Sequence, residues 1–170
     1  LGERVADILI EGGKIARIGQ GLEAADAQVV DASGQIALPG LVDIHTHLRQ
    51  PGYEASETVE TGTRAAALGG YTAVFAMANS LPVADTAAVV EQVDRLGKES
   101  GWCRVQPIGS VTVGLKGEFL SDIGSMATSE AKVRVFSDDG MCVYDPAIMR
   151  RALEYVKTFD GVIAQHAQEP

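Results

Sequence analysis

Residues 40–52 read GLVDIHTHLRQPG and place two of the chain's three histidines, His45 and His47, one residue apart, directly before Arg49. Read as a strand, LVDIHTH turns alternate residues to opposite faces. Leu41, Asp43, His45 and His47 then share one face, and Val42, Ile44 and Thr46 the other. Packing the second set under helices predicts that a carboxylate and two imidazoles point inward. Imidazoles at i and i+2 have Cα atoms about 7 Å apart, from a rise of ~3.3 Å per residue. Their ring nitrogens can converge on one metal ion, with Asp43 expected to hold one ring by a hydrogen bond.

Working outward, the chain shows a regular beat after this stretch. A helix is predicted from Ser56 to Gly69-Gly70, with Glu57 and Glu60 in its first turn, where they suit the helix dipole. YTAVFAMA, residues 71–78, reads as a second strand. A helix over residues 85–100 follows, with Val89, Val90, Val93 and Leu96 on one face. CRVQPIGSVTV (103–113) reads as a third strand, trailed by a weaker helical stretch from Leu120 to Met126. KVRVFSDD (132–139) is a fourth. Asp145-Pro146 is an N-cap followed by proline at the first helical position, opening a helix with Ile148, Ala152, Tyr155 and Val156 on one face. GVIAQH (161–166) is a fifth strand. Alternation of this kind implies βαβ units and a parallel sheet.

The polar residues choose the architecture. His45 and His47 end the first predicted strand, Asn79 follows the second, Asp138 and Asp139 end the fourth and His166 ends the fifth. In a (β/α)8 barrel the carboxyl-end rim is where active sites are built. A doubly wound sheet gathers its site at one crevice, usually with a glycine-rich loop after its first strand, and HLRQPGYE is no such loop. The expected fold is therefore the N-terminal portion of a metal-dependent-hydrolase (β/α)8 TIM barrel, about five strands of it. A full barrel takes about 250 residues, so the expectation is a barrel cut short within residues 40–170. Residues 1–39 differ: a hairpin at Gly12-Gly13, a turn at Ala32-Ser33-Gly34 and a stop at Pro39-Gly40 predict a small, partial β-sandwich-type domain.

Composition narrows the partners. The 170 residues carry a net charge of −9 and are 46% hydrophobic, enough apolar material for one domain and an appendage. The acidic balance speaks against nucleic acid and anionic membrane, and the sequence has no apolar run of the ~20 residues that span a bilayer. Cys103 and Cys142 have no metal-like spacing and are read as free thiols in a reducing cytoplasm, Cys142 as a small buried thiol. Trp102 and the methionines read as packing residues.

An HxH pair alone does not specify a metal. Ligand-type side chains delivered to one rim by independent strands do, and His166 with Asp139 supplies them. HTHLRQPG, ETGTRAAALGGYT, AMANSLP, FSDDG and AQHAQE stand in the order and rough spacing of bacterial class I dihydroorotases, in the cyclic amidohydrolase superfamily, which the chain resembles over essentially its whole length. LPGLVDIHTH alone would point only to that superfamily, with its hydantoinases and allantoinases. The arginine of HLR before PG, and FSDDG, narrow the resemblance.

That resemblance implies a zinc enzyme with two Zn2+ per full-length chain, closing N-carbamoyl-L-aspartate to L-dihydroorotate reversibly in pyrimidine biosynthesis. His45 and His47 would bind the more buried zinc, Asp139 would ligate or bridge, and His166 would bind the second ion. Asp138 is the alternative to Asp139 if the strand twists at its end. Arg49 and Asn79 would hold the substrate carboxylate. Relatives that bridge with a carboxylated lysine have it near Arg134, which cannot serve, and Lys132 lies seven residues before Asp139, roughly 23 Å along an extended strand. The sequence departs from the usual pattern at Gln50, at Ala78 and Ser80, and in the closing HAQEP, and no proposed ligand is lost. The aspartate acting as general acid and base, and a further metal histidine, are expected beyond Pro170. The 170 residues alone would then be inactive. A small-molecule substrate, a homodimer and aspartate carbamoyltransferase are the implied partners; the rivals are another cyclic amidase or a non-catalytic scaffold for that transferase.

Overall fold

The computed structural model describes residues 3–168, so Glu169 and Pro170, which end the AQHAQEP stretch, lie outside the described residues. The chain divides into two compact units, Leu1–Leu38 and Pro39–Pro170. In the first, β1 (Asp7–Glu11) and β2 (Lys14–Gly19) pair antiparallel. They turn at Gly12 and Gly13, both at positive φ, where glycine carries no Cβ penalty. The predicted turn at residues 32–34 is present, with Gln35 N–H donating to the Ala32 carbonyl at 3.0 Å. No strand flanks it among the described residues, so this unit holds one hairpin.

The second unit carries the beat. β3 (Leu41–Thr46), β4 (Tyr71–Ala76) and β5 (Arg104–Pro107) form a parallel sheet in that order. β6 (Val135–Phe136) pairs parallel with β7 (Val162–Ile163). A parallel bridge between Gly109 and Phe136 links the two sets, through Gly109 N–H to the Val135 carbonyl at 3.1 Å and Ser137 N–H to the Gly109 carbonyl at 2.9 Å. Each strand thus lies beside its predecessor. A doubly wound sheet reverses its strand order at a switch point, and no reversal occurs among the described residues. The architecture is α/β, with five parallel strands in sequence order, as in the wall of a (β/α)8 barrel.

Helices cover that wall unevenly. α1 (Val59–Leu68) begins later than predicted: Thr58, not Ser56, is its N-cap, in a reciprocal capping box with Thr61. Glu57 therefore precedes the helix and only Glu60 sits in its first turn. The Gln50 side chain accepts the Val59 N–H at 3.0 Å, so this departure from the expected motif serves the start of α1. α2 (Ala87–Ser100) packs against β5. Its Gly97 is required by closeness, since a Cβ there would stand 2.5 Å from the Val105 Cβ. α3 (Ile123–Thr128) and α4 (Pro146–Val156) complete the set, α4 capped by Asp145 through the N–H groups of Ala147 and Ile148. Val59, Val74, Val93 and Val105 form one buried cluster, and Met126, Val133, Phe136 and Val156 belong to a second. Each large member contributes about 1.5–3 kcal/mol by leaving water.

Two expectations fail here. Val42 and Ile44 were to pack under helices, yet they are 53% and 73% exposed. The reason is positional: β3 is an edge strand, and α1 and α2 lie over β4 and β5. The third and fourth strands are also shorter than their apolar runs. The β5 ladder ends at Pro107, the Ile108 N–H still donates to the Ala76 carbonyl at 2.8 Å, and residues 110–112 turn away to bond elsewhere. Lys132, at φ +48, stands before β6 outside extended geometry. No helix among the described residues is long and apolar enough to cross a membrane.

Candidate metal centre

Three strands deliver the site. His45 lies in β3 and His47 just past its end, Asp139 follows β6, and His166 follows β7. His45, His47 and Asp139 form a cluster whose ligand-type atoms all lie within 4.8 Å of one another. His45 Nε2 is 3.2 Å from Asp139 Oδ1, and His47 Nε2 is 3.4 Å from Asp139 Oδ2. Donors on one tetrahedral ion, with bonds of ~2.0–2.1 Å, are themselves about 3.3 Å apart. The donor set, two imidazole nitrogens and a carboxylate, and its spacing fit a divalent metal. His166 stands a step further off, its Nδ1 3.8 Å from Asp139 Oδ1. Asp139 thus turns Oδ1 to His45 and His166 and Oδ2 to His47.

The adjacent aspartates have opposite fates. Asp138 is fully buried and turned away from the histidines. Its Oδ1 accepts the N–H groups of Val111 and Thr112 at 2.7 and 3.1 Å, and its Oδ2 accepts the Thr112 hydroxyl. That hydroxyl accepts the Gly117 N–H at 2.9 Å. Burial raises the Asp138 pKa above the ordinary carboxylate value, and the hydrogen bonds from Thr112 and Val111 pull it back. Asp138 pins the loop after β5, and Asp139 faces the histidines.

The other candidates separate as clearly. Asp43 does not hold an imidazole; its Oδ1 accepts the His45 backbone N–H at 3.0 Å. The side chain that meets a ring is Asn79, its Oδ1 3.0 Å from His47 Nδ1 and its Nδ2 3.2 Å from Asp139 Oδ2. Arg49 and Asn79 line one narrow cleft with His47, Gln50 and Ser80. Ala78 is fully buried, and the Ser80 hydroxyl donates to the Pro82 carbonyl at 2.9 Å. Arg134 donates to the Ala127 and Val133 carbonyls, and Lys132 lies with it along a groove beside Gly97 and Lys98 of α2. Neither lines the cleft. Cys103 and Cys142 are free, and Cys142 is half-buried rather than buried. Burial raises the Cys103 pKa.

The places of His45, His47, Asp139 and His166 at strand ends are what the sequence made legible. Sequence reasoning missed what Asn79 touches, because 32 and 60 residues separate Asn79 from its two partners and no local period reports such a contact.

A family model described as Dihydro-orotase-like matches residues 34–170. Proteins named "Dihydroorotase" include one from Leifsonia xyli subsp. xyli, 70% identical over 96% of this chain and 37% of the relative. Another, from Streptomyces coelicolor, is 66% identical over the whole chain and 40% of the relative, and one from Mycobacterium tuberculosis is 57% identical over 99% and 39%. The chain therefore spans about two fifths of the length of the curated relatives it matches. Among solved structures, the L-hydantoinase (dihydropyrimidinase) of Arthrobacter aurescens superposes with a TM-score of 0.75 at 22% identity, covering 96% of this chain and 37% of that one. The dihydropyrimidinase of Brevibacillus agri gives 0.67 at 25% identity, covering 93% and 35%.

Proposed function

Since the chain belongs to the dihydro-orotase-like family, we propose that it is the N-terminal part of a zinc-dependent dihydroorotase, which closes N-carbamoyl-L-aspartate to L-dihydroorotate and reopens it. The observation that carries the reading is the convergence of His45 and His47 at the end of β3 with Asp139 after β6. In this reading those three residues would hold one ion, His166 would contribute to a second, and the loaded enzyme would carry two. A bound zinc supplies a Lewis acid for the ring amide carbonyl and a water of lowered pKa. The proton-carrying aspartate and the remaining metal histidine belong to the part of the relatives that this chain does not span. A homodimer, association with aspartate carbamoyltransferase and a cytoplasmic place complete the proposal.

The chain's own contribution beyond metal is to orient the substrate. Arg49 lines the cleft beside His47 and makes no ion pair among the described residues. Its backbone sits at φ +58, a conformation that side-chain-bearing residues rarely adopt, held by the Tyr53 N–H donating to the Arg49 carbonyl at 2.8 Å. A planar guanidinium matches a carboxylate bidentately, and an ammonium does not. The substrates of the proposed reaction carry that carboxylate, whereas plain hydantoins do not. Arg49→Lys in the intact protein is expected to raise KM for dihydroorotate roughly tenfold or more, with metal content unchanged. Steady-state kinetics beside elemental analysis measures both. Unaltered KM would remove the carboxylate-anchor role, and undiminished turnover of uncharged hydantoins by Arg49→Ala would favour another cyclic amidase.

A further inference from the structure

We propose that Asn79 is a positioning residue for the metal centre: the two ends of its amide fix which nitrogen of His47 is free to ligate and which way Asp139 faces. This inference rests on the metal reading of His45, His47 and Asp139. It begins from polarity. An ionised carboxylate offers acceptors only, so the Asn79 atom 3.2 Å from Asp139 Oδ2 must be the amide nitrogen. The flipped amide would set two acceptor oxygens against each other at that distance.

With its nitrogen committed, Asn79 can only accept at the other end. The atom facing it, 3.0 Å away, is His47 Nδ1, which therefore carries the hydrogen. In a neutral imidazole the second nitrogen is then a bare lone pair. That nitrogen, Nε2, is the one aimed at Asp139 Oδ2 from 3.4 Å. A lone pair and a carboxylate oxygen at that separation repel, a repulsion that a bound cation would relieve. Asp139, Asn79 and His47 thus form a chain of fixed polarity that leaves both ligand atoms facing one point.

The backbone that carries Asn79 is anchored to the same strand ends. Met77 N–H donates to the Thr46 carbonyl at 2.9 Å, and Thr46 is the residue between the two histidines. Ala78 is fully buried and its carbonyl accepts the Ala84 N–H at 3.0 Å. An amide is the side chain of this size that pairs one donor with one acceptor. Aspartate would keep the acceptor for His47 and set a second carboxylate against Asp139, and leucine would keep the shape and offer neither.

The test uses the intact protein, with zinc as the probe in competition against a chromophoric chelator. Asn79→Ala is expected to weaken zinc binding about 10–100-fold, the usual cost of losing a group that orients a ligand. Nitrogen-15 spectra of the metal-free protein, labelled at histidine and taken at about pH 8.5, where an ordinary imidazole of pKa ~6.5 is neutral, give an independent readout. Wild type and Asn79→Asp should show His47 protonated at Nδ1, and Asn79→Ala should populate the Nε2–H form. A role in substrate contact alone would raise KM and move neither readout. Unchanged zinc affinity and an unchanged tautomer in Asn79→Ala would overturn this inference and leave the metal reading standing. If wild type binds zinc no better than the protein with His45→Ala and His47→Ala, the metal reading falls, and this inference with it.

Discussion

With both His45→Ala and His47→Ala, the intact protein is expected to lose most of the proposed metal and about three orders of magnitude or more of the proposed dihydroorotase activity. The size follows from what the ion does: several kcal/mol of transition-state stabilisation at 1.36 kcal/mol per factor of ten in rate. The fold should survive, because His45 is half-exposed, His47 is only partly buried, and neither belongs to the buried apolar clusters. Circular dichroism and a thermal melt beside elemental analysis separate the two effects. Retained activity with both rings gone would remove the site from this end of the barrel.

The second large effect distinguishes two neighbours. Asp138→Ala is expected to destabilise the protein by about 3–5 kcal/mol, because it strands buried donors, the N–H groups of Val111 and Thr112 and the Thr112 hydroxyl, that now bond to one carboxylate. Asp139→Ala should do the reverse: metal binding falls sharply while stability of the metal-free protein changes by no more than about 1 kcal/mol, since Asp139 keeps only a contact with Asn79 apart from the histidines. Urea unfolding of the metal-free variants, with zinc titration of each, reads both quantities. Metal loss in Asp138→Ala at full stability, with metal retained in Asp139→Ala, would mean that the ligand is the other aspartate.

The pair also shows where reading the residues stops. FSDDG offers two carboxylates, and alternation along an ideal strand makes either one a candidate for the inward face. The ladder ends at Phe136, so strand alternation does not reach residues 138 and 139. The choice is made by the loop after β5, whose backbone donors claim Asp138. Only tertiary folding brings that loop near, from 26 and 27 residues away. The same limit explains Val42 and Ile44. Their apolar alternation is legible, but which face finds a cover depends on strands and helices beyond any local period. The strand beat, the caps at Asp145 and the glycines of the first hairpin are local chemistry, and each was legible. The nearness of His45, His47, Asp139 and His166 was legible for a related reason: in a parallel barrel the rim collects whatever ends each strand.

The central claim is that His45, His47 and Asp139 hold one zinc ion. Crystals of the intact protein, purified without chelator and measured at the zinc absorption edge, test it directly. An anomalous peak is expected about 2.0–2.2 Å from His45 Nε2, from His47 Nε2 and from one oxygen of Asp139. A zinc-replete crystal with no peak among those atoms, or with a peak ligated by Asp138, would contradict it.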